Sequence, residues 1–139
     1  MKRKRRANAV ATAEYRLLLS ARINEQDGTL AVVAELQTLQ EFNSFRYEIV
    51  VQDTVEKGSV QMMIRGLRAP DQITPGPGPA IFRKEYDGLK GETKFVIRKN
   101  DGQETAFLVN VSKNAVTLKQ RPDESFVEFV EPRVPPRVR

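Results

Sequence analysis

The sequence predicts an all-β protein: a single antiparallel β-sandwich of about nine short strands. Three observations predict it. Apolar residues recur at every second position in one run after another, which is the period of a half-buried strand. Clusters of Gly, Asn and Asp separate those runs at regular intervals. Near the midpoint, Pro70 to Pro79 reads P-D-Q-I-T-P-G-P-G-P, a composition that suits neither a helix nor a central strand.

The first run starts at Tyr15. Tyr15, Leu17, Leu19, Ala21 and Ile23 form one stripe, opposed by Arg16, Ser20 and Arg22. A helix over residues 9–23 is the alternative, because Val10, Ala13, Leu17 and Ala21 are also spaced for one helical face and Asn8 suits its cap. The five-member stripe favours the strand. Asn24 to Gly28 is a turn, and Gly28 suits the positive φ that such turns use. The second run continues from Thr29 with Leu30, Val32, Ala34 and Leu36 on one face.

Phe45, Tyr47, Ile49 and Val51 make the third stripe, and Val60, Met62 and Ile64 the fourth, with Asp53 to Gly58 between them. Gly66 follows where a bulge would shift the register. The Pro70 to Pro79 segment reads as a crossover between two halves of one sandwich. A linker between two domains is less favoured, because halves of about 60 residues are small for separate β cores. Runs at Ile81 to Tyr86 and Thr93 to Lys99 come next. Asn100-Asp101-Gly102 is a hairpin signal leading into Thr105, Phe107, Val109 and Val111. Val116 and Leu118, then Phe126 to Val130, complete the count. The strand number and midpoint crossover resemble those of immunoglobulin-like sandwiches, without the Cys and Trp hallmarks of antibody-type domains.

The chain of 139 residues carries a net charge of +5, unevenly spread. Lys2, Arg3, Lys4, Arg5 and Arg6 lie at one end, and Arg133, Arg137 and Arg139 at the other. Without those eight cations, the body holds 15 basic and 18 acidic residues, a net of −3. The expected organisation is therefore a basic N-terminal arm (1–8), a β domain (9–131) and a Pro/Arg-rich tail (132–139).

Composition excludes several chemistries. There is no Cys, hence no disulfide, thiolate metal site or cysteine nucleophile, and no His, hence no Ser–His hydrolase. No P-loop or dinucleotide-binding glycine motif is present, and Pro77 and Pro79 remove backbone donors a phosphate cradle would need. No apolar run approaches the ~20 residues that span a bilayer. Met1 to Arg6 resembles the charged start of a secretory signal, but Glu14 and Arg16 interrupt what would be its apolar stretch. The reading is a cytoplasmic, unprocessed chain with no cofactor and no metal.

The expected function is non-enzymatic: protein binding or assembly through a sheet face or edge. Lys2 to Arg6 are the candidate contacts to nucleic acid or another anionic partner. A nucleic-acid-associated, coat-like oligomer is the second reading, and a small carboxylate-dependent enzyme the third. A basic patch of Arg83, Lys84, Lys94, Arg98 and Lys99 depends on the fold. Phe82 and Phe95, next to basic residues, suit a core better than a stacking surface. Pro132, Pro135 and Arg137 match a polyproline ligand spacing, a pattern common by chance.

Overall fold

The structure, a computed structural model, describes residues 13–23, 25–73, 75–113 and 115–130. Within them nine strands form one sheet: β1 (Tyr15–Ile23), β2 (Leu30–Phe42), β3 (Glu48–Glu56), β4 (Ser59–Arg68), β5 (Gly78–Asp87), β6 (Gly91–Lys99), β7 (Glu104–Val111), β8 (Val116–Gln120) and β9 (Val127–Val130). Their order across the sheet is β8-β7-β6-β4-β3-β5-β2-β1-β9. The all-β expectation holds. Residues 15–23 form a strand, so the helical alternative is overturned there; its remainder, residues 9–12, lies outside the described residues together with the basic arm and the tail. Leu17 and Leu19 are fully buried, and Tyr15 and Ala21 pack on the same core. A strand seats four neighbouring odd positions on one face, whereas a helix would turn every second residue toward solvent.

The antiparallel sandwich needs correction. The nine strands form one strongly curled, mixed sheet. β4 pairs with β6 in parallel, β1 pairs with β9 in parallel, and β3 meets β5 in parallel. Period-two patterning dictates which face a residue takes. It carries no information about which strand lies alongside, and a parallel neighbour arrives through a long connection. The segment around Pro75 is one such connection. It carries the chain from β4 to β5, and an isolated bridge between Phe45 and Pro75 secures it.

The sheet has a weak line in its middle. β3 and β5 share a single ladder pair, Glu48 with Ile81, supported by a bond from the Ile81 N–H to the Tyr47 carbonyl at 3.1 Å. On one side of that line lie β8, β7, β6, β4 and β3, and on the other β5, β2, β1 and β9. Each arc mixes strands from before and after the proline-rich segment. The curl folds the arcs over a common core of Leu17, Val32, Leu36, Val60, Met62, Phe95, Ile97, Phe107 and Val109. Burying each such large side chain contributes roughly 1.5–3 kcal/mol. Phe107 of β7 meets Phe129 of β9 at 5.5 Å between ring centroids, which draws the far ends of the two arcs together.

Local breaks follow the sequence. Gly28, Gly58 and Gly102 hold positive φ in the β1–β2, β3–β4 and β6–β7 hairpin turns. The β3–β4 register shifts between Val50 and Val51, where Gly66 pairs with Val50 and Ile64 with Val51, so the expected bulge is present. β2 departs from its β5 ladder between Gln37 and Glu41. There the Thr38 hydroxyl accepts the Ala80 N–H at 2.9 Å and donates to the Gln40 carbonyl at 2.8 Å. One buried side chain thus takes over backbone bonding that the ladder drops.

Candidate functional site

Among the described residues, six of the fifteen cations of the body have a carboxylate partner. Arg83 faces Glu35, Lys84 bonds Asp53, Arg98 bonds Glu104, and Lys99 bonds Glu14. The patch proposed from sequence is therefore dispersed: Arg83 lies on the outer face of β5, Lys84 on its inner face, and four of the five cations are neutralised. Lys94 is the exception, with no ion pair among the described residues. Phe95 is fully buried and Phe82 packs against the core, so neither forms a stacking surface. Residues Lys2 to Arg6 lie outside the described residues. Among the described residues, no group of three His, Cys, Asp or Glu is placed to hold a metal ion.

On the outer face of β2, Ala31 and Val33 are buried although they belong to the solvent-side stripe. Arg22 of β1 pairs with Glu85 of β5 at 3.1 Å across β2. By register Arg22 stands beside Ala31 and Glu85 beside Val33, so the two long stems arch over both residues and keep water from them. Arg22, Ile23, Glu25, Glu85 and Asp87 line a depression of about 350 Å³ there. Three carboxylates against one guanidinium make this rim acidic.

Beside that rim part of the β1 edge has no pairing strand among the described residues. β1 pairs with β2 along all of its residues, from Tyr15 to Ile23, but with β9 only from Tyr15 to Leu18. The Tyr15 N–H donates to the Phe126 carbonyl at 3.1 Å, on the β9 side, while the Glu14 carbonyl accepts from the Leu39 N–H at 2.9 Å, on the β2 side. Strand alternation then turns the backbone groups of Ala21 and Ile23 toward the β9 side, beyond the last β9 pair. Ile23 is 42% exposed. β8 comes up opposite β1, so the curl nearly closes.

Among the described residues the β1–β9 ladder ends with Leu18 opposite Val130.

No protein-family model, curated protein or solved structure matches this chain.

The split between β3 and β5 is a second break in the ladder, but it is filled. Asp53 of β3 accepts hydrogen bonds from the Tyr86 hydroxyl at 2.7 Å and from the Lys84 ammonium at 2.9 Å, both from β5. Lys84 also lies 5.5 Å from the Tyr86 ring centroid. Burial opposes ionisation of Asp53, yet the bonds from Lys84 and Tyr86 outweigh it and hold its carboxyl below the usual range. Burial, reinforced by the neighbouring carboxylate, raises the Tyr86 phenol far above its ordinary value. Charged side chains turned inward at an edge obstruct an incoming strand, so this split is a lock and the β1 edge is the accessible one.

Neither feature was foreseen from sequence. Ala21 and Ile23 read as core positions, and which described strand pairs with their backbone is visible only once β9 is placed. Asp53 read as the start of a turn, whereas it lies within β3, and Lys84 read as a member of a basic patch.

Proposed function

We propose that this chain is a non-enzymatic binding module that takes up an extended protein segment by adding it to the open edge of β1. The observation that carries the reading is that β9 pairs with β1 only as far as Val130 opposite Leu18, and that no strand among the described residues pairs with β1 on that side at Ala21 and Ile23. Backbone bonds to an added strand supply affinity that tolerates many sequences, while side chains at alternate positions supply selectivity. The acidic rim at Glu25, Glu85 and Asp87 favours a segment carrying a cation. The basic arm, Lys2 to Arg6, adds salt-sensitive attraction to an anionic partner or surface.

The test exploits the two sides of β1. At Ala21 the N–H faces the open side, so Ala21→Pro removes a donor that only an added strand would use. At Ser20 the N–H faces β2, so Ser20→Pro breaks the existing ladder. Peptides selected from a displayed random library against the full chain are expected to protect the Ala21 and Ile23 amides from hydrogen exchange. They are expected to lose binding to Ala21→Pro, while that variant keeps its folded circular dichroism spectrum. Undiminished binding to a folded Ala21→Pro, or protection confined to other strands, overturns the reading.

A further inference from the structure

We propose that the outer face of β6 and β7, at the point where β8 leaves the sheet, holds a small amphipathic anion: a carboxylate or phosphate group on an apolar body. Lys94, Ala106, Leu108, Gln120, Arg121 and Pro122 line a depression of about 390 Å³ there. Its chemistry is two-sided. Ala106, Leu108 and Pro122 give it an apolar floor. Lys94 and Arg121 stand at its rim, and neither has an ion-pair partner among the described residues. A pair of uncompensated cations over apolar floor residues matches a ligand with one anionic end.

The backbone adds a donor. The Lys94 N–H bonds the Gly58 carbonyl at 3.0 Å, toward β4, and the Lys99 N–H bonds the Gln103 carbonyl at 2.9 Å, toward β7. Odd-numbered residues of β6 therefore face β7. Phe95 stands opposite Phe107, so odd residues of β7 face β6 and even residues face β8. The β7–β8 ladder begins at Leu108, opposite Gln120. Ala106, two residues earlier, points its peptide N–H to the β8 side where no strand lies, into the depression. Its amide, the Gln120 amide group, the Lys94 ammonium and the Arg121 guanidinium are donors around one apolar floor. The register shift between Leu108 and Val109 moves β8 off β7 at this point and keeps the space open.

The site is independent of the β1 edge, and its test leaves that edge untouched. The full chain is titrated with sodium octanoate and, separately, with inorganic phosphate, following backbone amide chemical shifts. Octanoate is expected to shift Ala106, Leu108 and Gln120 saturably, and phosphate to bind much more weakly at the same residues. Lys94→Gln and Arg121→Gln are each expected to weaken octanoate binding about threefold to fivefold, the scale of one exposed ion pair, and the double variant to weaken it about tenfold to twenty-fivefold. Leu108→Ser is expected to weaken octanoate and leave phosphate unchanged. Shifts confined to other residues, an unaltered dissociation constant in the double variant, or phosphate binding as tightly as octanoate overturns the proposal.

Discussion

Tyr86 of β5 donates a 2.7 Å hydrogen bond to the carboxylate of Asp53 on β3, across the line where those strands share one ladder pair. Side chains here do what backbone bonds do elsewhere in the sheet. Tyr86 is 3% exposed, so its hydroxyl depends on this acceptor. Asp53→Ala leaves it stranded and is expected to cost about 1–3 kcal/mol, whereas Tyr86→Phe, with Lys84 still bonded to Asp53, is expected to cost about 1 kcal/mol. Urea unfolding of both variants and of the double variant measures the coupling. A larger loss for Tyr86→Phe than for Asp53→Ala would contradict this order.

The same pair predicts an acid dependence. The Asp53 carboxyl is held below its ordinary value once folded. Its contribution is therefore complete above the unfolded value of about 3.9 and disappears as pH falls through the lower folded value. The stability gap between the parent and Asp53→Asn is expected to be constant near neutrality and to close below about pH 4. Urea midpoints measured across that range check it. A gap that widened on acidification would reverse the sign.

Lys99 joins three elements. Its ammonium lies 2.7 Å from Glu14 and 3.7 Å from Asp101, and 4.7 Å from the Phe126 ring centroid. Burial opposes the charge, but the hydrogen bond and charge of Glu14, with Asp101, outweigh it and raise the ammonium's pKa. A raised lysine stabilises fully below its unfolded value, near 10.4, and loses that contribution as pH rises through the folded value. Lys99→Met keeps the stem and is expected to cost about 1 kcal/mol at neutral pH. The difference from the parent should fade in strongly alkaline solution. Thermal unfolding at neutral and alkaline pH reads both.

Thr38 supplies the acceptor for the buried Ala80 N–H. Thr38→Val keeps the shape and removes the oxygen, leaving that donor unpaired at a cost of about 1–3 kcal/mol. Thr38→Ser retains the oxygen and is expected to lose far less. Amide exchange at Ala80 distinguishes the two, accelerating in the valine variant and staying slow in the serine variant.

Any affinity for nucleic acid is expected to reside in Lys2 to Arg6, where five cations follow one another while the body carries a net negative charge. Binding of a single-stranded oligonucleotide by the full chain should weaken steeply with salt. The logarithmic slope should be no steeper than about −3.5, five phosphates at about 0.7 each. Deletion of residues 2–6 should remove the binding. Filter binding at several salt concentrations measures it, and retained affinity after deletion would locate the contact elsewhere.

What the sequence determined alone was local. Alternation at Tyr15, Leu17 and Leu19, and again at Phe107, Val109 and Val111, needs only adjacent residues to specify a face. Gly28, Gly58 and Gly102 mark turns because a positive φ is a property of one residue. Gly66 marked its bulge for a similar reason. The tertiary structure alone decided which strands are neighbours. β6 lies against β4 rather than β5, and β9 runs parallel to β1, pairings that depend on how long connections close. It also decided which charges meet, since Lys99 and Glu14 lie 85 residues apart and Asp53 and Tyr86 33 apart. The candidate edge belongs to this second kind. Ala21 is an inward-facing strand residue by pattern. Which described strand pairs with its backbone depends on the register of β9, and register is a relation between strands that neither strand's own sequence contains.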